Sequence, residues 1–224
     1  MPTTPELVVL DMAGTTVTDG GLVEAAFTEA VAAQGVGETD ERYPAMLTYV
    51  RATMGESKIS VFRHLFGGDE AAARRGNTDF EAAYAARIDA VAPIPGADET
   101  IAGLRAAGIK VALTTGFSRP TADAILTALD WIGLADLTLV PAEAGRGRPY
   151  PDLVLTAVLR LGASDLRRVV TCGDTTYDVL TGLRAGAGTV TAVTTGAHTA
   201  ADLAAAGAHH VLDSVTALPD LLHS

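Results

Sequence analysis

Short apolar runs, rich in β-branched residues, alternate along this chain with stretches of helical patterning, and that rhythm constrains the fold most. The runs are Leu7-Val8-Val9-Leu10, Val111-Ala112-Leu113, Leu137-Thr138-Leu139-Val140, Val169-Val170-Thr171-Cys172, Val190-Thr191-Ala192-Val193 and His210-Val211-Leu212. Runs so short and so uniformly apolar predict strands buried on both faces. Between them, Ala97 to Ala107 reads as a helix closed by Gly108. Ser118 is an N-cap with Pro120 in the first turn. Pro151 to Leu161 is closed by Gly162, and Thr175 to Ala185 by Gly186. The pattern predicts an α/β fold: a Rossmann-like parallel sheet flanked by helices.

One stretch breaks the rhythm. Residues 21–92 carry helical patterns and no convincing strand. Gly21 to Gln34, Asp40 to Thr53 and Glu56 to Phe66 read as helices. Thr78-Asp79-Phe80-Glu81 has the form of a capping box opening a fourth. The expected organisation is a core of residues 1–20 and 93–224 with an all-helical cap, 21–92, inserted after strand 1. Gly20-Gly21 and Pro93-Ile94-Pro95-Gly96 are the expected hinges.

Ligands of open α/β sheets bind at the carboxyl ends of the strands. Strand 1 runs into Asp11-Met12-Ala13-Gly14-Thr15-Thr16, and strand 2 into Thr114-Thr115-Gly116. Gly147-Arg148-Pro149-Tyr150-Pro151 follows strand 3, and strand 4 runs into Gly173-Asp174-Thr175-Thr176-Tyr177-Asp178. Asp11 and Asp174 are suited to hold Mg²⁺, with the Ala13 carbonyl as a further oxygen and Asp178 in support. The cation offsets repulsion from a phosphoryl dianion, so Asp11 is free to act as nucleophile on phosphorus. Thr115 with the N–H groups of Gly116 and Gly14 makes a cradle for phosphoryl oxygens, with Thr15 as a further contact. Arg148 offers a fixed fork to the same oxygens and to the nucleophile.

These four motifs, in order and each after a strand, resemble those of the haloacid-dehalogenase superfamily of phosphoryl-transfer hydrolases, and the helical insert resembles its mobile cap. Two features resemble the phosphonatase (phosphonoacetaldehyde hydrolase) branch. Ala13 stands where most phosphatases of the superfamily carry a second Asp that protonates a leaving oxygen, and Arg148 stands in place of their lysine. In that branch a cap lysine follows a Met-Gly pair, and this chain has Met54-Gly55-Glu56-Ser57-Lys58. The resemblance implies a Schiff base on Lys58, an electron sink for P–C cleavage, with Met54 as a substrate contact. It also implies a homodimer through the cap. Three positions depart from the branch: Val61 where it has a histidine, Phe117 where it has a tyrosine, and Gly21 where it has a cysteine.

Charge and composition narrow the partners. A net charge of −11 opposes binding to nucleic acid or an anionic membrane surface. The single cysteine, Cys172, excludes an intramolecular disulfide and reads as an inert core thiol. The residues from Met1 to Glu6 lack the basic and apolar regions of a secretory signal, so a cytoplasmic setting is expected. His198, His209, His210 and His223 show no ligand spacing. Arg146 is the rival of Arg148, and the second Thr-Thr-Gly, at 194–196, is the rival of the first. The order of motifs favours Arg148 and Thr115.

The expected activity is Mg²⁺-dependent hydrolysis of a small 2-oxoalkylphosphonate, phosphonoacetaldehyde-like, through a phosphoaspartate on Asp11. The alternative is a phosphomonoester phosphatase of the phosphoglycolate type on the same core. A dehalogenase would have little use for Asp174. A non-catalytic phosphate-binding protein would have no need of Asp11, Thr115, Arg148 and Asp174 together.

Overall fold

The structure is a computed structural model, and it describes residues 4–18 and 20–223. Met1 to Thr3, part of the N-terminal segment read above, lie outside the described residues. A six-stranded, wholly parallel sheet forms the centre: β1 (Leu7–Asp11), β2 (Lys110–Thr114), β3 (Leu137–Leu139), β4 (Val169–Gly173), β5 (Thr189–Val193) and β6 (His210–Leu212). The order across the sheet is β3-β2-β1-β4-β5-β6. β1 therefore sits in the middle, with β2 and β4 on its two sides, and Asp11 is in register with Thr114.

Period-two alternation explains how both faces are filled. Val8, Leu10, Val111, Leu113, Val170 and Cys172 point into one apolar core; Leu7, Val9, Ala112, Val169, Val190 and Ala192 point into the other. Each core is roofed by helices of the alternating chain: α5 (Ala97–Ala106), α6 (Arg119–Ala128), the short α7 (Pro141–Ala144), α8 (Asp152–Leu161), α9 (Thr176–Ala185), α10 (Ala200–Ala205) and α11 (Leu218–His223). Ser118 caps α6 as expected, and Thr175 with Asp178 forms a capping box on α9.

Among the described residues, four α-helices lie between β1 and α5: α1 (Leu22–Ala33), α2 (Tyr43–Ala52), α3 (Lys58–Leu65) and α4 (Glu70–Ala85). The chain leaves and re-enters the sheet side by side. Thr18 N–H donates to the Ala92 carbonyl at 2.8 Å and Ile94 N–H to the Thr16 carbonyl at 2.9 Å. Their apolar faces join the same core as one face of the sheet.

One expectation is corrected. α4 does not open at Thr78. It begins at Glu70, where Asp69 accepts from the N–H groups of Ala71 and Ala72 at 2.9 and 3.0 Å. Thr78 is in the helix interior, and its hydroxyl donates back to the Arg74 carbonyl at 3.0 Å. The Ala-Ala-Ala-Arg-Arg stretch before it is strongly helix-forming and extends the helix past the misleading signature.

This difference is measurable. Asp69→Ala removes a cap worth about 1 kcal/mol, which lowers the melting temperature by about 3 °C. Thr78→Ala, at a helix interior, leaves it within about 1 °C. A larger loss in Thr78→Ala than in Asp69→Ala would contradict this helix boundary.

Candidate active site

The central register delivers three carboxylates to one place. Asp11 ends β1, Asp174 follows β4, and Asp178 sits in the first turn of α9. Each offers an oxygen within 4.8 Å of the others, and all three are buried. Arg148, only 4% exposed, sits among them. Its Nη2 is 2.6 Å from Asp11 Oδ1 and donates to Thr114 Oγ1 at 2.8 Å. Its Nε is 2.6 Å from Asp178 Oδ1. Its Nη1 donates to the Gly55 carbonyl of the helical segment at 3.3 Å.

Electrostatics follow from this packing. Burial pushes the Asp11 carboxyl well up, against the pull of Arg148, with Asp178 and Asp174 adding repulsion. Asp174 is pushed up to about 7, chiefly by burial and then by Asp178, while the Ala197 N–H opposes the shift. Three buried carboxylates share one guanidinium, so the cluster has an excess of negative charge. Hard, closely spaced oxygens with excess charge suit a divalent cation. Asp178 is further engaged, since its Oδ2 accepts from the Thr175 N–H and hydroxyl at 3.1 and 2.5 Å.

A cavity of about 510 Å³ opens over the cluster. Asp11, Ala13, Met54, Lys58, Thr115, Gly116, Arg148 and Asp174 all line it. The helical segment thus places Met54 and Lys58 in the same space as Asp11. His64 is not part of that lining; it stacks on Tyr49, ring centroids 3.9 Å apart. Val61 is buried in the core. Cys172 is buried in β4 and its thiol is pushed up to about 12 by burial, in keeping with an inert thiol.

Two residues expected in the phosphate cradle are engaged by other groups of the protein. Gly14 N–H donates to the Val17 carbonyl at 2.7 Å, so that donor is already used. Gly14 has φ +89°, and a Cβ there would run into the Asp174 carboxylate. The glycine is needed for close approach, not for its N–H. Thr15 is fully buried and its hydroxyl donates to Asp174 Oδ1 at 3.3 Å, which makes it a support of that carboxylate.

The second Thr-Thr-Gly, passed over on motif order, also reaches the site. Thr195 Oγ1 donates to the Gly14 carbonyl at 2.6 Å, and Ala197 N–H donates to Asp174 Oδ2 at 2.7 Å. Thr195, Gly196 and Ala197 line the cavity. Its signal was its place after a strand; what was missing was that β5 lies next to β4.

Comparison with known proteins agrees with this geometry. Residues 5–186 match the haloacid dehalogenase-like hydrolases. The chain belongs to that family. A phosphonoacetaldehyde hydrolase of Syntrophobacter fumaroxidans is 31% identical over 195 residues, covering 82% of this chain and 70% of its own length. The crystal structure of a phosphonoacetaldehyde hydrolase-like protein of Oleispira antarctica superposes with a TM-score of 0.84 at 26% identity, over 99% of this chain and 92% of that one. A predicted phosphoglycolate phosphatase of Haemophilus somnus shares the fold, with a TM-score of 0.81 at 17% identity over 98% of each chain. The chain is therefore a hydrolase of this family, and hydrolases of the family generally use a divalent metal. Among the described residues no helix is long and apolar enough to cross a membrane.

The raised Asp174 carboxyl has a pH consequence. Its ordinary value is 3.8 and its folded value about 7, so between those two pH values the metal-free folded state keeps a proton that the unfolded state has lost. Its contribution to stability therefore declines as pH rises through that window. With chelator, the melting temperature should be higher near about pH 5.5 than near about pH 8; saturating Mg²⁺, which favours the ionised carboxylate, should flatten or reverse this trend. An identical decline with pH in chelator and in Mg²⁺ would count against a cation at this cluster.

Proposed function

We propose that this chain is a Mg²⁺-dependent hydrolase that cleaves the P–C bond of a small 2-oxoalkylphosphonate, phosphonoacetaldehyde-like, with Asp11 as nucleophile and Lys58 as Schiff-base lysine. The observation that carries the reading is that Lys58 and Asp11 line one cavity, while Ala13 stands where an oxygen-protonating acid would be needed for an ester. The names of the curated relatives point the same way.

The chemistry follows from the residues. Asp11, Asp174 and the Ala13 carbonyl would hold the cation, with Asp178 orienting Arg148 beside them. Bound there, Mg²⁺ neutralises phosphoryl charge and so lowers the barrier to anionic attack. Arg148 fixes the Asp11 carboxylate through its 2.6 Å contact and offers charge to the phosphoryl oxygens. Thr115 and Gly116 line the phosphoryl end. The neutral Lys58 amine adds to the substrate carbonyl and loses water to give an iminium. Asp11 then attacks phosphorus, and the P–C electron pair passes into the iminium as a neutral enamine. Protonation at carbon and hydrolysis return the amine and release the carbonyl product. A second water frees phosphate from Asp11.

Residues 21–92 act in this reading as a cap that opens to admit substrate, turning about Gly20-Gly21 and residues 93–96. The close contact of Gly116 with the insert supports a closed state here, since a Cβ at Gly116 would lie 2.7 Å from the Glu56 carbonyl oxygen. The lone buried thiol and the acidic surface suit a reducing, cytoplasmic setting and a small-molecule substrate rather than nucleic acid or membrane.

Phosphate release across a panel of oxo-phosphonates and phosphate esters tests the reading. The 2-oxoalkylphosphonates should be turned over only with Mg²⁺ or a similar cation. Asp11→Asn should lose at least about 10³-fold in rate. Lys58→Arg keeps the charge but cannot form the Schiff base, so it should retain competitive inhibition by phosphate and lose P–C cleavage. Turnover of phosphoglycolate-type esters alone, unaffected by Lys58→Arg, would establish the phosphatase alternative instead.

A further inference from the structure

All five phenylalanines of the chain belong to one connected stack. Phe27 lies against Phe62 at 5.8 Å between centroids, Phe62 against both Phe66 and Phe80 at 6.1 Å, and Phe80 against Phe117 at 6.2 Å. Tyr84 tilts onto Phe117 at 4.6 Å. Gly76 makes room for the stack, since a Cβ there would lie 2.8 Å from both the Phe62 and Phe66 rings. Alanine and aliphatic residues fill most of the remaining core, so the aromatic content of a chain with only 5% aromatic residues is spent unevenly.

The stack ends at Lys58. The Lys58 Nζ lies 5.8 Å from the Phe80 centroid and 5.5 Å from the Phe117 centroid. The rings come from different parts of the fold: Phe80 from α4, Phe117 from the loop after β2. Both are buried. Aromatic faces carry negative potential and attract a cation within about 6 Å, more strongly where water is excluded.

We propose that Phe80 and Phe117 form a cation–π clamp that stabilises the protonated Schiff base on Lys58. This inference rests on the reading of Lys58 given above. Condensation of the neutral amine with the carbonyl releases water and leaves a positive charge on the Lys58 nitrogen, beside both rings. P–C cleavage moves the bond's electron pair into that system and discharges the nitrogen as an enamine. Protonation of the enamine at carbon restores the charge, and water then regenerates the amine and the carbonyl product. The rings favour each charged state over its neutral neighbour. They raise the population of iminium before cleavage and draw the enamine toward protonation after it. Val61 and Phe117 stand where the phosphonatase resemblance leads one to expect a histidine and a tyrosine.

Fluorinated phenylalanines separate this role from packing, because fluorine drains the ring face while nearly preserving its shape. Mono-, di- and trifluorophenylalanine are placed singly at Phe80, at Phe117 and, as a control in the same stack, at Phe66. The quantity read with a 2-oxoalkylphosphonate is the fraction of enzyme trapped by borohydride. It should fall stepwise with fluorination at Phe80 and at Phe117, by about 5- to 30-fold at trifluorination. It should be unchanged at Phe66. If the wild-type enzyme is trapped and the series at Phe80 and Phe117 follows Phe66, the clamp is refuted while the Schiff-base reading stands. If the wild-type enzyme itself yields no adduct, the Schiff-base reading fails and the clamp fails with it.

Discussion

The site depends on one buried guanidinium. Arg148 holds Asp11, Asp178 and Thr114 and reaches the Gly55 carbonyl of the helical segment. Burying ions is costly unless their hydrogen-bonding capacity is used, and here the planar fork meets partners on several sides at once. A lysine ammonium, a single point charge, could not span the same set. The three carboxylates around it remain in electrostatic excess, which is why burial drives Asp11 and Asp174 upward and why a cation fits beside them. Stability is traded for a site poised to take up charge.

The same guanidinium links the chemistry to the enclosure of the cavity. Gly55 touches it from one side, and the backbone of Gly55 and Glu56 closes against Gly116. A Cβ at Gly55 would also lie 2.6 Å from Thr175 Oγ1, so the insert packs directly on the loop that carries Asp174. Nearby, Glu81 of α4 accepts from the Ser118 hydroxyl at 2.7 Å and also bonds the Thr121 hydroxyl at the start of α6. These polar contacts accompany apolar ones: Phe80 and Tyr84 of α4 pack on Phe117 of the loop after β2, and the helical segment shares one core with a face of the sheet.

Much of this was readable in the residues themselves. Each strand followed from a run of β-branched and apolar side chains, and the motif ends followed from the rule that parallel strands present their carboxyl ends together. The misreadings have physical causes. Thr78 to Glu81 has a capping pattern, but helix-forming residues upstream carry α4 through it from Asp69. The sequence also does not reveal which way the tight loop after β1 turns; in the structure Val17 and Asp174 take the donors of Gly14 and Thr15. The second Thr-Thr-Gly and the phenylalanine stack depend on neighbours far apart in the chain. Phe27 and Phe117, for example, are joined only through Phe62 and Phe80.

The chain has two lysines, Lys58 in the cavity and Lys110 at the start of β2, where it pairs with Asp136. That makes one measurement especially direct. The enzyme is incubated with a 2-oxoalkylphosphonate, reduced with borohydride, digested and sequenced by tandem mass spectrometry. A mass increase equal to the reduced carbonyl fragment, found on Lys58 and not on Lys110, is the result expected of P–C cleavage through a Schiff base in this cavity. Phosphate release from the same substrate with both lysines unmodified would contradict it.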